Sequence, residues 1–91
     1  MARYVRKIRP GDLIALPLSD GGWIVALVDT INTEIGTGIA RWGDAERSFE
    51  SFEGYSAGPG ELKPAAGMLV GQRFDSLDEV TAAAHRFELV D

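Results

Sequence analysis

Two uncharged apolar runs, Leu13–Leu18 and Trp23–Val28, stand on either side of Ser19-Asp20-Gly21-Gly22. Asp-Gly and Gly-Gly supply the positive φ angles of a tight reversal, so the pattern predicts a β-hairpin. Neither run alternates with polar residues. That predicts strands covered on both faces, in a strongly curved sheet rather than a flat, half-wet one. Pro17 has no N–H to give to a ladder and belongs at a strand end or edge. Trp23 opens the second strand either as a large core or lid residue or as a partner-binding anchor.

The remaining elements follow the same reasoning. Arg3–Ile8 mixes Tyr4, Val5 and Ile8 with cations, which predicts an edge strand whose charges discourage further pairing. Arg9-Pro10-Gly11-Asp12 is a turn. Ile35–Trp42 alternates, with Ile35, Thr37, Ile39 and Arg41 on one face and Gly36, Gly38, Ala40 and Trp42 on the other. The face of small residues marks a bend or a close approach by another element.

From Gly43 to Ala66 the pattern weakens. Ala45, Phe49 and Phe52 fall at i, i+4 and i+7, which predicts a helix capped by Asp44; a short strand around Phe49–Phe52 is the competing expectation. Met68–Gly71 reads as a short buried strand. Ser76-Leu77-Asp78-Glu79 is a capping box, and Leu77, Val80, Ala84 and Phe87 share one helical face, so a helix of about three turns is expected over Leu77–Arg86. Phe87–Val90 closes the chain as a short strand or extended tail.

The expected architecture is a single α+β domain over residues 1–91. It is a small curved, mainly antiparallel β-sheet of roughly four to six strands, open or barrel-like, with one C-terminal helix. A chain of this size buries little more than ~60% of its unfolded surface, so one modest core is all it can hold. It has no cysteine, which removes disulfides, thiolate metal ligands and a cysteine nucleophile. No apolar run approaches the ~18 residues of a membrane span, and the first ten residues lack a signal-peptide apolar segment, so the expected location is the cytoplasm.

Charge sharpens the picture. The net charge is −5, yet Arg3, Arg6, Lys7 and Arg9 put four cations in the first ten residues, leaving 5 basic and 14 acidic residues for the rest. An acidic body repels nucleic acid and anionic lipid and attracts basic partners. Asp78 and Glu79 belong to a helix start and Asp12 and Asp20 to turns; the best remaining acidic cluster is Asp44, Glu46, Glu50 and Glu53, interrupted by Arg47. Read as a helix, Glu46, Glu50 and Glu53 form one stripe, flanked by Trp42, Phe49, Phe52 and Tyr55. Aromatic anchors ringed by acids suit a basic protein partner, and these eight residues are the candidate partner-binding set; a plain solvated face is the alternative.

Other chemistry finds little support. His85 is the sole histidine, at the end of the expected helix, with no motif that brings a nucleophile and an orienting carboxylate to it. A zinc site would need several carboxylates around that one imidazole. Gly36-Thr37-Gly38 lacks the third glycine and the following helix of a phosphate cradle. No metal, cofactor or catalytic set is expected.

The stretch Pro10-Gly11-Asp12-Leu13-Ile14-Ala15-Leu16-Pro17-Leu18-Ser19-Asp20-Gly21-Gly22-Trp23-Ile24-Val25-Ala26-Leu27-Val28 resembles the opening of bacterial immunity proteins of the immunity protein 26 type. Those proteins share the Gly-Asp, the apolar strand ending in Pro, the Asp-Gly turn followed by an aromatic, and the second apolar strand. The resemblance implies a cytoplasmic, non-enzymatic protein that binds and neutralises a cognate toxin, often a nuclease. The alternative is a small β-barrel adaptor that binds a peptide, a protein subunit or RNA.

Overall fold

The computed structural model describes residues 6–51, 53–59 and 70–89. Along the chain these form β1 (Arg6–Lys7), β2 (Asp12–Pro17), β3 (Trp23–Asn32), β4 (Thr37–Trp42), β5 (Ala45–Glu50), β6 (Tyr55–Pro59), β7 (Arg73–Phe74), α1 (Leu77–Ala83) and β8 (His85–Glu88). The hairpin forms where the glycines place it. β2 and β3 pair antiparallel from Leu13↔Leu27 to Pro17↔Trp23. Gly21 takes a φ of +91°, and the Gly22 N–H donates to Asp20 Oδ1 at 2.9 Å. Leu13, Ile14, Ala15 and Leu16 are all buried, and they alternate between two separate apolar clusters, so both faces of the pair are covered.

Around the hairpin the strand order is β1-β8-β6-β2-β3-β4-β5. β7 lies beside the start of β3, before β4 takes over that edge. Every pairing is antiparallel except β1 with β8. The fold is therefore a mostly antiparallel sheet with one short C-terminal helix. The barrel-like expectation does not hold as a closed barrel. β1 and β5 are the two ends of the order, and no pairing among the described residues joins them.

The sheet nonetheless curls hard. Five steps separate β8 from β5, about 24 Å in a flat sheet at ~4.8 Å per strand. Yet the Phe49 and Phe87 rings, one from each strand, meet edge to face with centroids 5.6 Å apart. A hydrogen bond from Leu89 N to Ser51 Oγ, 2.9 Å, ties the same two ends together. Two bulges assist the curl, one between Leu13 and Ile14 against β6 and one between Val28 and Thr30 against β4. The second leaves Asp29 as the extra residue, so Val28 and Ile31 both face inward although three positions apart. The concave core comprises Ile8, Ile14, Leu16, Ala26, Val28, Ala40, Phe49, Phe87 and Leu89.

Gly38 explains the face of small residues. A Cβ there would lie 2.6 Å from Phe49 Cζ and 2.8 Å from the Thr30 carbonyl oxygen, so the Phe49 ring sits directly over a residue that must be glycine. The convex face is only partly covered. Val80 and Ala84 pack with Leu13, Ala15, Val25 and Tyr55, flanked by Trp23 and Phe74. Trp23 is thus a half-buried lid residue, in edge contact with Tyr55 at 5.5 Å. Ser56 is fully buried, and its Oγ has no hydrogen-bond partner.

Three expectations need correction. Ala45–Glu50 is a strand and not a helix, paired with β4 from Trp42↔Ala45 to Thr37↔Glu50. The apolar spacing that suggested a helix combined an exposed Ala45 with a buried Phe49, while Phe52 lies outside the described residues. The C-terminal helix stops at Ala83, and Ala84 is already extended. Leu77 is therefore exposed, and Phe87 belongs to β8 and to the opposite core. The capping expectation stands: Ser76 Oγ accepts from Glu79 N at 3.3 Å, and Glu79 Oε2 accepts from Asp75 N at 3.1 Å, one residue earlier than a standard box. Of the expected strand Met68–Gly71, the described part, Val70 and Gly71, is an exposed turn; Met68 and Leu69 lie outside the described residues. Among the described residues no helix is long and apolar enough to cross a membrane.

If the Phe49 ring holds the curl, Phe49→Ala should destabilise the chain by about 3–5 kcal/mol in urea denaturation. Loss of partner binding without loss of stability would instead make Phe49 a surface anchor.

Candidate binding surface

The strand assignment of β5 redistributes the eight candidate residues. Phe49 is in the concave core. Tyr55 is buried on the other face, beneath α1, with the Arg86 guanidinium 5.4 Å from its ring centroid. Neither can anchor a partner directly. Trp42 is half-buried against the concave core. Asp44 is exposed in the two-residue turn between β4 and β5. Glu46 and Glu50 project from the convex side of β5, with Ser48 between them. Phe52 lies outside the described residues.

Glu53 leaves the acidic stripe for a structural role. Arg47 projects inward from β5, and its guanidinium donates to the Pro17 carbonyl and to Glu53 Oε1. The other Glu53 oxygen accepts from Glu50 N at 2.8 Å, and Glu53 N donates to the Glu50 carbonyl at 3.1 Å. One carboxylate therefore neutralises an inward cation and closes off the end of β5.

What remains outside is a flank built from β3, β4 and β5. The helix does not reach it, so Leu27 and Ile39 are exposed on the convex face, and Ile35 stands exposed in the turn before β4. Ile35 and Ile39 line a shallow cleft of about 420 Å³ with Thr30, Thr37 and Ser48. Around these aliphatic side chains lie exposed Asp29, Glu34, Asp44, Glu46 and Glu50, against one exposed cation, Arg41. Arg41 is shared between Asp29 at 3.3 Å and Glu46 at 3.5 Å, ion pairs too solvated to hold the flank rigid or neutral. The sequence pattern contained this surface as the face Ile35-Thr37-Ile39-Arg41. Alternation alone did not say that the glycine face was the buried one.

A second charged group lies at the hairpin tip. Arg73 bridges Asp20 at 3.0 Å and Asp75 at 3.2 Å. The Gly22 N–H, and then Arg73, hold the Asp20 carboxyl below its ordinary value. This group fastens β7 to the hairpin. His85, exposed at the start of β8, is not on the helix where its sequence position suggested. Among the described residues no cluster of His, Asp and Glu is arranged to hold a metal ion.

Two outcomes follow from these contacts. Arg47→Met should lower stability by about 1–3 kcal/mol, because the Pro17 carbonyl and Glu53 both lose a charged donor; urea denaturation measures it. Asp20 has a depressed folded-state pKa, so its contribution is present above the unfolded value near pH 4 and disappears as pH falls through the folded value. Asp20→Asn keeps the turn-forming acceptor but removes the titration. Its melting temperature should therefore fall less steeply than the parent's below about pH 4. No family model, curated protein or solved structure matches the chain.

Proposed function

We propose that this chain is a non-enzymatic binding module that acts in the cytoplasm on a basic protein partner. Its specific form is the one implied by the N-terminal resemblance: an immunity protein that occupies and neutralises a cognate toxin, with a nuclease as the fitting class. The observation that carries the reading is the uncovered β3–β5 flank, where Leu27, Ile35 and Ile39 are exposed among five acids and one base. Exposed aliphatic side chains offer area to bury, and the surrounding negative field speeds encounter with a positive surface and repels polynucleotides. A nuclease presents such a positive surface in its substrate groove. Phe49 and Tyr55 of the candidate set contribute rigidity from within rather than contact from without.

Co-purification from the native host followed by mass spectrometry identifies the partner, and a toxin-like coding sequence beside this one supports the immunity form. The double substitution Glu46→Lys/Glu50→Lys avoids Glu53 and so leaves the Arg47 contacts in place. It should weaken binding to the partner about tenfold or more, mainly through slower association, with the melting temperature nearly unchanged. Unchanged affinity would remove this flank from the interface. Tight polynucleotide binding with a steep negative salt slope would overturn the reading altogether.

A further inference from the structure

Among the described residues β5 ends the strand order, so its pairing with β4 uses only one side of its backbone. The two-residue turn at Gly43-Asp44 closes on the Trp42–Ala45 pair, and a turn of that length fixes the hydrogen-bonding phase. Ala45, Arg47 and Phe49 turn their N–H and C=O groups toward β4. Glu46, Ser48 and Glu50 turn theirs away. Glu53 confirms the phase, because its carboxylate and its own N–H take both outward groups of Glu50. Among the described residues nothing pairs with the two outward donors and two outward acceptors of Glu46 and Ser48, the footing for one more strand.

Two clefts open along this edge, meeting at Arg47. One, of about 560 Å³, is bounded by Pro17, Leu18, Trp42 and Glu46 and offers an apolar wall; the other, of about 400 Å³, is bounded by Ser48, Glu50 and Glu53. Pockets beside a bare edge are what an added strand needs for its inward side chains. On the convex face Glu46 and Glu50 flank Ser48 at strand spacing. A second copy of β5 paired antiparallel about Ser48 would place Glu46 opposite Glu50 in both directions, and like charges directly opposite destabilise a pair. Self-association is thereby discouraged, and a cationic strand is favoured at the same edge.

We propose that β5 is a strand-addition site for an extended basic segment of the protein partner. The segment pairs with the outward groups of Glu46 and Ser48. It sets lysine or arginine side chains against Glu46 and Glu50 and turns an apolar side chain into the cleft beside Trp42. This assignment rests on the binding-module reading and specifies how that surface engages its partner.

The test uses the full chain, isotopically labelled, and a synthetic peptide of alternating lysine and valine, with a glutamate-and-valine peptide as control. The cationic peptide should produce saturable NMR shifts centred on the Glu46 and Ser48 amides and slow their hydrogen exchange; the anionic peptide should not. Ser48→Pro removes an outward donor without touching the β4 ladder and should weaken the peptide at least tenfold, whereas Ser48→Ala should not. Saturable shifts confined to Leu27 and Ile39, equal binding by Ser48→Pro, or no saturable shift at millimolar peptide would each overturn strand addition. If Ser48→Pro does not fold, the exchange map of the unaltered chain decides. A natural partner that loses affinity for Glu46→Lys/Glu50→Lys but binds Ser48→Pro normally overturns the strand mechanism while leaving the binding-module reading intact.

Discussion

The contact that organises this molecule is the Phe49 ring, held over Gly38 and against Phe87. It joins strands from opposite ends of the sheet. Without it, β4 and β5 would extend as a free flap and the concave core would be open on one side. The geometry depends on a void where a side chain would otherwise be. Only glycine at position 38 admits the ring, and only a large ring fills the distance to β8. Arg47 and Glu53 reinforce the same closure with polar contacts to the rim of β2. The curl is thus maintained by side chains and not by a completed ladder, and among the described residues β5 remains an end strand of the sheet.

The division of the two sheet faces follows from this. The concave face is saturated by its own strands. The convex face has one short helix to cover it, and Val80 and Ala84 serve only the part formed by β6, β2 and the start of β3. A helix of seven residues cannot also reach β4 and β5. The uncovered aliphatic residues on that flank are therefore a geometric remainder of the fold, set among exposed acids.

Much of this was legible in the chain. The hairpin was, because its glycines sit where positive φ is required and its apolar runs are uninterrupted. The helix start was, because Ser76 and Glu79 cap locally and need no tertiary partner. Its end was not, since Phe87 continues the helical spacing by coincidence while serving a strand. β5 was misread for a related reason. Its inward positions are Ala45, Arg47 and Phe49, and a cation at the central one breaks the alternation that announces a strand. That cation is tolerated because Pro17 and Glu53 receive it, a pairing across long sequence separation that no local pattern reveals. Of the candidate set, composition alone put Glu46 and Glu50 on the surface, and both are exposed on β5. Phe49 and Tyr55 were expected at the surface, whereas close packing in a small core claimed them.

The extra residue at Asp29 carries a consequence for how this fold can vary. Upstream of it, inward positions of β3 are even-numbered; downstream, Ile31 continues the inward row on an odd number. Deleting that single residue would restore a regular ladder, with Val28 opposite Ala40, Thr30 opposite Ile39 and Ile31 opposite Gly38, so Ile31 would stay inside and the local bend would be lost. At this point the strand can therefore shorten by one residue without exchanging its wet and dry sides; what it would give up is the added twist and the Asp29 carboxylate beside Arg41.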